Sequence, residues 1–302
     1  MEPTIQYHVC LCQTENNPLS SSTLTLPPLC LPSYSRDHPV FLQLSDYFWV
    51  KNETLYQLPY GTKGSEDSLM KFLALTKRYN VRPEIERLPC KRCVVVGNGF
   101  RLKHSSLGNV IDKYDIVIRL NNAPVHNYQE DVGKKTTMRF FYPESADFNQ
   151  HLDNNPDSLM VLVPFKPMDI NWIRIIINDE KRVFKGFWKM PPIFWEVNSE
   201  NVRILNPYFM DFAARKLLTP HQAWKSKRRI PTTGLLAITF ALHFCDLVHI
   251  AGFGYPMLGN KQQPIHYYDR RTLMRTSHNI TLEAIAIKQL LQHRLIHNLT
   301  YF

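Results

Sequence analysis

No run in this 302-residue sequence is long and apolar enough to cross a bilayer, which takes about 20 nearly uncharged residues. The longest candidate, Gly234 to Gly254, is broken by His243, Asp246 and His249 and reads as a buried helix followed by a strand. Met1 to Ser22 lack the basic start and apolar middle of a signal peptide and are expected not to act as one. The sequence also has no Asp-x-Asp pair of the kind that holds a divalent metal against a diphosphate, no internal repeat and no complete Gly-x-Gly-x-x-Gly. A formal charge of +10 points to an anionic partner, yet no basic tail or Arg-rich helix accompanies it, so nucleic-acid binding has no motif behind it. The positive residues fall in short clusters at Lys134-Lys135, Lys181-Arg182, Lys225 to Arg229 and Arg270-Arg271. A pocket for a phosphorylated small molecule, or simply a solvated face, explains them equally well.

What is present is ordinary for a globular protein: 44% apolar and 21% charged residues exclude wholesale disorder, and the length suffices for a large core. Six cysteines stand at 10, 12, 30, 90, 93 and 245. A zinc site would need four of them on one small loop, which their spacing does not favour. Three open sequons, at Asn52, Asn279 and Asn298, together with the even cysteine count, lean towards an oxidising, secretory compartment.

Residues 1–45 are rich in Pro, Ser, Thr and Leu without sustained period and read as a stalk or irregular segment. Residues 46–302 read as one catalytic domain. A helical pattern begins near Leu69, Phe72 and Leu73. Short apolar runs at Cys93 to Val96, Ile116 to Ile118, Leu159 to Val163, Arg203 to Leu205 and Leu247 to Ala251 have the profile of buried strands. Helix-compatible stretches lie between or after them, at Phe209 to Leu218, Gly234 to Cys245 and Leu282 to Ile296. Alternating strands and helices imply an α/β fold with a largely parallel sheet.

Gly97-Asn98-Gly99 follows the first of these strands, where an open α/β sheet lets backbone amides approach a phosphate. Asp115 stands about where a dinucleotide fold wants an acid, but it precedes the next strand instead of ending it. That strand ends in Arg119-Leu-Asn121-Asn122, and a neutral amide there suits a ribose or base without adding negative charge beside a phosphate.

Taken in order, four segments resemble the sialyl motifs of animal sialyltransferases. Cys90 to Gly99, Ile118 to Pro124, Asp131 to Thr137 and Tyr142-Pro-Glu144 resemble the large motif; Pro231 to Ala237 through Cys245-Asp246 to Gly252-Phe-Gly254-Tyr resemble the small one. His266-Tyr267-Tyr268 resembles the third motif, and His278 to Glu283 fits the very small motif, His-x4-Glu. Gly186 to Lys189, Pro191-Pro192, Ile204 to Pro207 and Val248 to Pro256 resemble the beta-galactoside alpha-2,3-sialyltransferase branch, nearest its members acting on type 2 lactosamine. The branch acting on mucin-like acceptors has tyrosines near the positions of Phe212 and Ile230, so a different acceptor is expected.

The resemblance implies a Rossmann-like, GT-A-like sheet fold without a metal. It implies inverting transfer of sialic acid from CMP-sialic acid to the 3-hydroxyl of a terminal galactose, on N-acetyllactosamine chains of glycoproteins and glycolipids. Type 1 or other galactoside acceptors, an inactive sugar- or nucleotide-binding homologue and a nicotinamide oxidoreductase on the same Gly-Asn-Gly turn are the alternatives. It also implies the Golgi lumen and a membrane tether, for which this sequence has no stretch. His278 is implied as general base and His266 as donor to the leaving phosphate, with Asn98, Asn121, Thr233, Gly234, Gly254 and Tyr267 around the donor. Thr281 can cap a helix from Leu282, which puts His278 before a helix N-terminus whose dipole disfavours imidazolium. Glu283 either orients a base or only favours the helix start. The resemblance pairs Cys93 with Cys245, leaving Cys90 to pair upstream with Cys10, Cys12 or Cys30.

Overall fold

The computed structural model describes residues 38–45, 56–76, 78–218, 229–254, 263–270, 272 and 278–300. The Asn52 sequon, Cys10, Cys12, Cys30, Tyr255, Arg271 and most of residues 1–45 and of the Lys225–Arg229 cluster lie outside the described residues.

Seven strands form one sheet: β1 (Arg92–Val96), β2 (Ile116–Leu120), β3 (Met138–Phe141), β4 (Leu159–Leu162), β5 (Val202–Ile204), β6 (Leu247–Ala251) and β7 (His297–Asn298). Their order is β5-β4-β3-β2-β1-β6-β7, and every pairing is parallel. The β-branched run Val94-Val95-Val96 explains why β1 is central. Alternate side chains point to opposite faces, so Cys93 and Val95 join Ile116 and Ile118 in one apolar cluster while Val94 and Val96 join Val117 in another. A strand buried on both faces needs that continuous apolar pattern.

Four longer helices surround the sheet: α1 (Glu66–Thr76), α2 (Pro167–Ile177), α3 (Thr233–Phe244) and α4 (Ile280–Gln292). Leu235, Leu236, Ile238 and Phe240 on α3 are all buried, because this helix is apolar all round and lies within the core against β1, β2, β3 and β6. The stretch expected as one helix from Phe209 is instead α-helical over Tyr208–Phe212 and π-helical over Ala213–Leu217. The periodicity reading also passed over β3 and α2. β3 reads Met-Arg-Phe-Phe, and Arg139 interrupts an otherwise apolar strand; yet that arginine is fully buried.

Residues 38–45 belong to this fold, although their composition groups them with the stalk. Phe41 and Leu42 are buried, Phe41 bridges to Leu205, and the Leu42 N–H donates to the Ile204 carbonyl at 2.9 Å. The disulfide Cys93–Cys245 joins β1 to the residue that ends α3, across 152 positions of sequence. Closing a loop of that length is worth about 4–5 kcal/mol through the unfolded chain. Cys90 is disulfide-bonded as well.

Candidate active site

The chain leaves β1 towards β5 and returns to β6 on the other side of β1, which makes the β1–β6 boundary the switch point where open α/β sheets leave a crevice. The loops after these two strands touch. The Gly97 N–H donates to the Ala251 carbonyl at 2.7 Å and the Gly99 N–H to the Gly252 carbonyl at 2.8 Å. A Cβ on Gly97 or Gly99 would stand 2.6 or 2.5 Å from the Gly252 oxygen. Glycine is therefore required here by contact between two loops, where the sequence pattern had suggested approach to a phosphate. A Cβ on Gly234 would lie 3.1 Å from the Phe253 ring, so the first turn of α3 abuts the β6 loop. Gly254 has φ +101°, a backbone region that disfavours side chains.

Two asparagines hang from this edge with their carbonyls held by hydrogen bonds and their side-chain oxygens not. The Asn98 carbonyl accepts from the Tyr267 N–H at 3.1 Å. Asn121, at φ 53°, donates to the Phe140 carbonyl at 2.7 Å, and its own carbonyl accepts from Arg139 Nη1 at 2.8 Å. Both side-chain Oδ1 atoms are buried and find no partner among the described residues. Buried amide oxygens are rarely left so, and both are suited to a hydroxyl or amino group of a ligand.

Arg119 and Arg139, which motif reading did not single out as functional, hold these loops. Arg119 reaches Thr136 and the carbonyls of Val132, Gly133 and Lys135; Arg139 reaches the Asn121, Ala123 and Asp153 carbonyls and Asn154. Burial pulls both guanidiniums down to about 10, which leaves them charged at neutral pH. Carbonyl dipoles, not carboxylates, satisfy their forks.

His266 joins the β1 loop by a bridge to Gly99, flanked by the Phe100 N–H to Ile265 carbonyl bond at 2.9 Å. Its Nδ1 lies 2.8 Å from Asp269 Oδ2, and its ring stacks on Tyr268 with centroids 5.1 Å apart. A carboxylate can only accept, so Nδ1 carries a hydrogen, and a protonated His266 forms an ion pair with Asp269. His278 has a different partner: its Nδ1 lies 2.8 Å from the Ile230 carbonyl oxygen. That also places the hydrogen on Nδ1, and the lone pair of the neutral ring falls on Nε2.

His278 does stand before a helix N-terminus, but the cap is Asn279, whose Oδ1 accepts from the Leu282 N–H at 3.0 Å; Thr281 lies inside α4. Glu283 stands in the first turn of α4, where a carboxylate favours a helix start, and it has a partner the sequence did not show. Its buried carboxylate accepts from the Thr232 N–H at 2.8 Å and from Thr232 Oγ1 at 2.5 Å. Thr232 is the N-cap of α3, with Oγ1 accepting from the Leu235 N–H at 3.2 Å. Glu283 thus ties the start of α4 to the start of α3, and its burial raises its pKa despite those hydrogen bonds. The α3 N-terminus, with Thr233 and Gly234 in its first turn, presents backbone N–H groups suited to a phosphate.

The remaining sequence candidates divide. Thr233 is buried at the α3 start. Tyr267 is buried with its hydroxyl donating to the Pro124 carbonyl at 2.6 Å, so its polar end serves the fold and burial raises its pKa. Asp115 pairs with Arg92 at 2.9 Å on β1, far from any ribose role. Phe212 is half-buried, and Ile230 contributes its carbonyl to His278. Asn298 lies on β7 with a buried Nδ2, a poor acceptor for a glycan. No group of three His, Cys, Asp or Glu side chains among the described residues is placed to hold a metal ion.

Residues 41–295 match the profile of glycosyltransferase family 29 (sialyltransferase). Over 274 residues the chain is 60% identical to the rat protein named CMP-N-acetylneuraminate-beta-galactosamide-alpha-2,3-sialyltransferase 4, covering 89% of this chain and 82% of that one. It is 38% identical to the human Type 2 lactosamine alpha-2,3-sialyltransferase, the kind its motifs had placed nearest, over 81% of this chain and 75% of the relative. A mammalian sialyltransferase crystallised with Gal-beta-1-3GalNAc-ortho-nitrophenol superposes with TM-score 0.68 at 28% identity, covering 89% of this chain and 93% of that one. With these likenesses spanning the sheet, the Gly-Asn-Gly loop and both histidines, the chain belongs to glycosyltransferase family 29, the sialyltransferases.

Proposed function

We propose that this protein transfers sialic acid from CMP-sialic acid to the 3-hydroxyl of a terminal galactose, with N-acetyllactosamine glycans of glycoproteins and glycolipids as acceptors. In this reading His278 Nε2 takes the proton of the galactose 3-hydroxyl as its oxygen attacks the anomeric carbon of sialic acid from the face opposite the phosphate. The configuration inverts and CMP departs. His266, backed by Asp269, donates to the phosphate as it gains charge, and the α3 N-terminus contributes its backbone N–H groups. Asn98 and Asn121 turn their unpartnered amide oxygens to the nucleoside.

The observation that carries the reading is the contrast between the two histidines: one rests on a carboxylate and the other on a peptide carbonyl, at the two flanks of one loop cluster. Acid and base chemistry at one pH requires such unlike surroundings. The beta-galactosamide acceptor in the name of the relative at 60% identity supports a second reading, with type 1 or other galactosides accepted too. With a single phosphate on the donor and no Asp-x-Asp in the sequence, protein groups take the part a metal plays elsewhere. The Golgi lumen is the compartment that fits this donor and the disulfides.

The test is a thermal-shift panel followed by a transfer assay. CMP and CMP-sialic acid should raise Tm while NAD does not, and sialic acid should appear in alpha-2,3 linkage on N-acetyllactosamine with EDTA present. Stabilisation by NAD alone, or activity lost to EDTA and restored by manganese, would overturn the corresponding part.

A further inference from the structure

Away from the histidines, the segment 184–196 holds Phe184, Trp188 and Phe194 out to solvent. Trp188 is 72% exposed and Phe194 75%, whereas most other rings among the described residues are buried or half-buried. The segment is nonetheless pinned at many points. The Trp172 Nε1–H donates to the Pro192 carbonyl at 3.1 Å, Arg182 Nε to the Ile193 carbonyl at 2.6 Å, and the Trp188 N–H lies 3.4 Å from Glu144 Oε1. Lys166 sits over the Phe187 ring and pairs with buried Glu144 and Asp169. A segment whose main chain is tied at these points has less freedom to lose when something stacks on its rings, which is preorganisation for a ligand.

Between this segment and residues 146–151 lies a cleft of about 500 Å³. Its walls mix rings with polar groups: Phe148, Phe194 and Trp195 beside Gln150, His151 and Glu196. Two polar contacts join the walls, His151 Nε2 to Glu196 at 3.2 Å and the Lys189–Asp147 ion pair at 2.6 Å. Gln150 Nε2 and Trp195 Nε1, both in the lining residues, are buried donors with no partner among the described residues. Gln150 Oε1 already accepts from Asn154, so the amide nitrogen is the end left over.

The cleft is coupled to the reaction edge by one side chain. Arg139, whose Nη1 holds the Asn121 carbonyl at 2.8 Å, lies with its guanidinium carbon 4.8 Å from the centre of the Phe148 ring. Trp188 in turn touches Tyr142, at the C-terminal end of β3, with ring centroids 6.4 Å apart.

We propose that this cleft is a second carbohydrate subsite, which takes the inner sugar residues of the acceptor glycan while the terminal galactose is at His278. The proposal rests on the transfer reading above. The chemistry selects the occupant: a pyranose offers a flat C–H face to Phe194 and hydroxyl oxygens to the two unpaired N–H donors. An acyl chain would leave both donors unsatisfied, at the expense of a buried polar group, and a peptide is an outcome of the test below. The subsite would make longer glycans better acceptors without touching the reacting atoms.

The experiment compares the N-acetyllactosamine disaccharide with a free tetrasaccharide of two such units, by calorimetric titration in the presence of CMP and by kcat/KM. The wild-type chain should bind the tetrasaccharide about tenfold more tightly, the scale of one well-placed aromatic contact. Phe194→Ala should remove that preference, and Phe194→Tyr, which keeps the ring, should retain it. Equal affinity of the wild type for the two glycans, or an unchanged preference in Phe194→Ala, would overturn the subsite. So would a preference that appears only with a peptide or lipid attached. Because binding is read apart from turnover, the two readings separate. Transfer to both glycans without length preference removes the cleft alone, and a preference abolished by Phe194→Ala without any transfer removes the reaction alone.

Discussion

His266 and His278 both have Nδ1 at 2.8 Å from an oxygen, yet they sit in regions built in different ways. His266 is fixed by sheet-like contact: it bridges to Gly99, its neighbours bond to the β1 loop, and Asp269 three residues on supplies its carboxylate. His278 is fixed by two helix starts: Asn279 caps α4, Glu283 binds the α3 cap Thr232, and the carbonyl of Ile230 precedes that cap. On the proposed reading, a charged partner suits a ring that donates to an anion, and a neutral partner suits a ring that begins without its second proton. The difference teaches that motif position leaves a histidine's surroundings open, and that the atom opposite Nδ1 is what tells these two apart.

The strongest way to break this comparison is to cut what joins its two halves. Cys93 lies on the strand leading to the His266 region, and Cys245 ends the helix whose start faces His278. Cys93→Ser with Cys245→Ser should lower unfolding free energy by about 4–5 kcal/mol, measured by denaturant titration. A loss below 1 kcal/mol would mean the loop is already closed by packing.

Next in size are the histidines themselves. His266→Ala should cut kcat by about 100- to 1000-fold, and a donor with a better leaving group should recover part of it. His278→Ala should cost about 100-fold in kcat with CMP affinity nearly unchanged, and the better leaving group should give no relief. Matching responses of the two variants to that donor would erase the distinction drawn between them.

Glu283→Gln separates positioning from base orientation. The amide keeps one bond to Thr232 and loses the charge, which should lower stability by about 1–2 kcal/mol and kcat moderately. If Glu283 acts through the α3 cap, the acid limb of the pH–rate profile keeps its midpoint; a shifted midpoint would place it on the base.

The smallest effect is expected at a histidine outside both regions. Burial beside His297 holds His249 down at about 4, so it is neutral in the fold at pH values where the unfolded chain is already protonated. Its contribution is present above about 6.5 and lost as pH falls from there towards 4. His249→Gln should flatten the fall of Tm over that window while the pH–rate profile stays as it was.

Much of the fold is legible because buried strands need apolar runs: β1, β2, β4, β5 and β6 stand where such runs end in glycine or a turn. β3 escaped because Arg139 breaks its run, and only tertiary structure supplies the carbonyls that make a buried guanidinium tolerable. The motifs singled out His266, His278, Asn98 and Asn121, and the resemblance they carry implied the Cys93–Cys245 pair, which the structure shows bonded. They could not assign Glu283, since the partner Thr232 lies 51 positions away and a carboxylate near a helix start looks the same with or without it.

Taken alone, then, the amino-acid order determined the parallel α/β architecture and the family, because periodicity and motif spacing are local properties of a chain. Tertiary structure alone decided why Gly97 and Gly99 must be glycine, which oxygen faces each histidine, and that Tyr267 spends its hydroxyl on Pro124. Each of those depends on atoms from distant segments meeting within hydrogen-bond distance, and no single stretch of sequence carries that information.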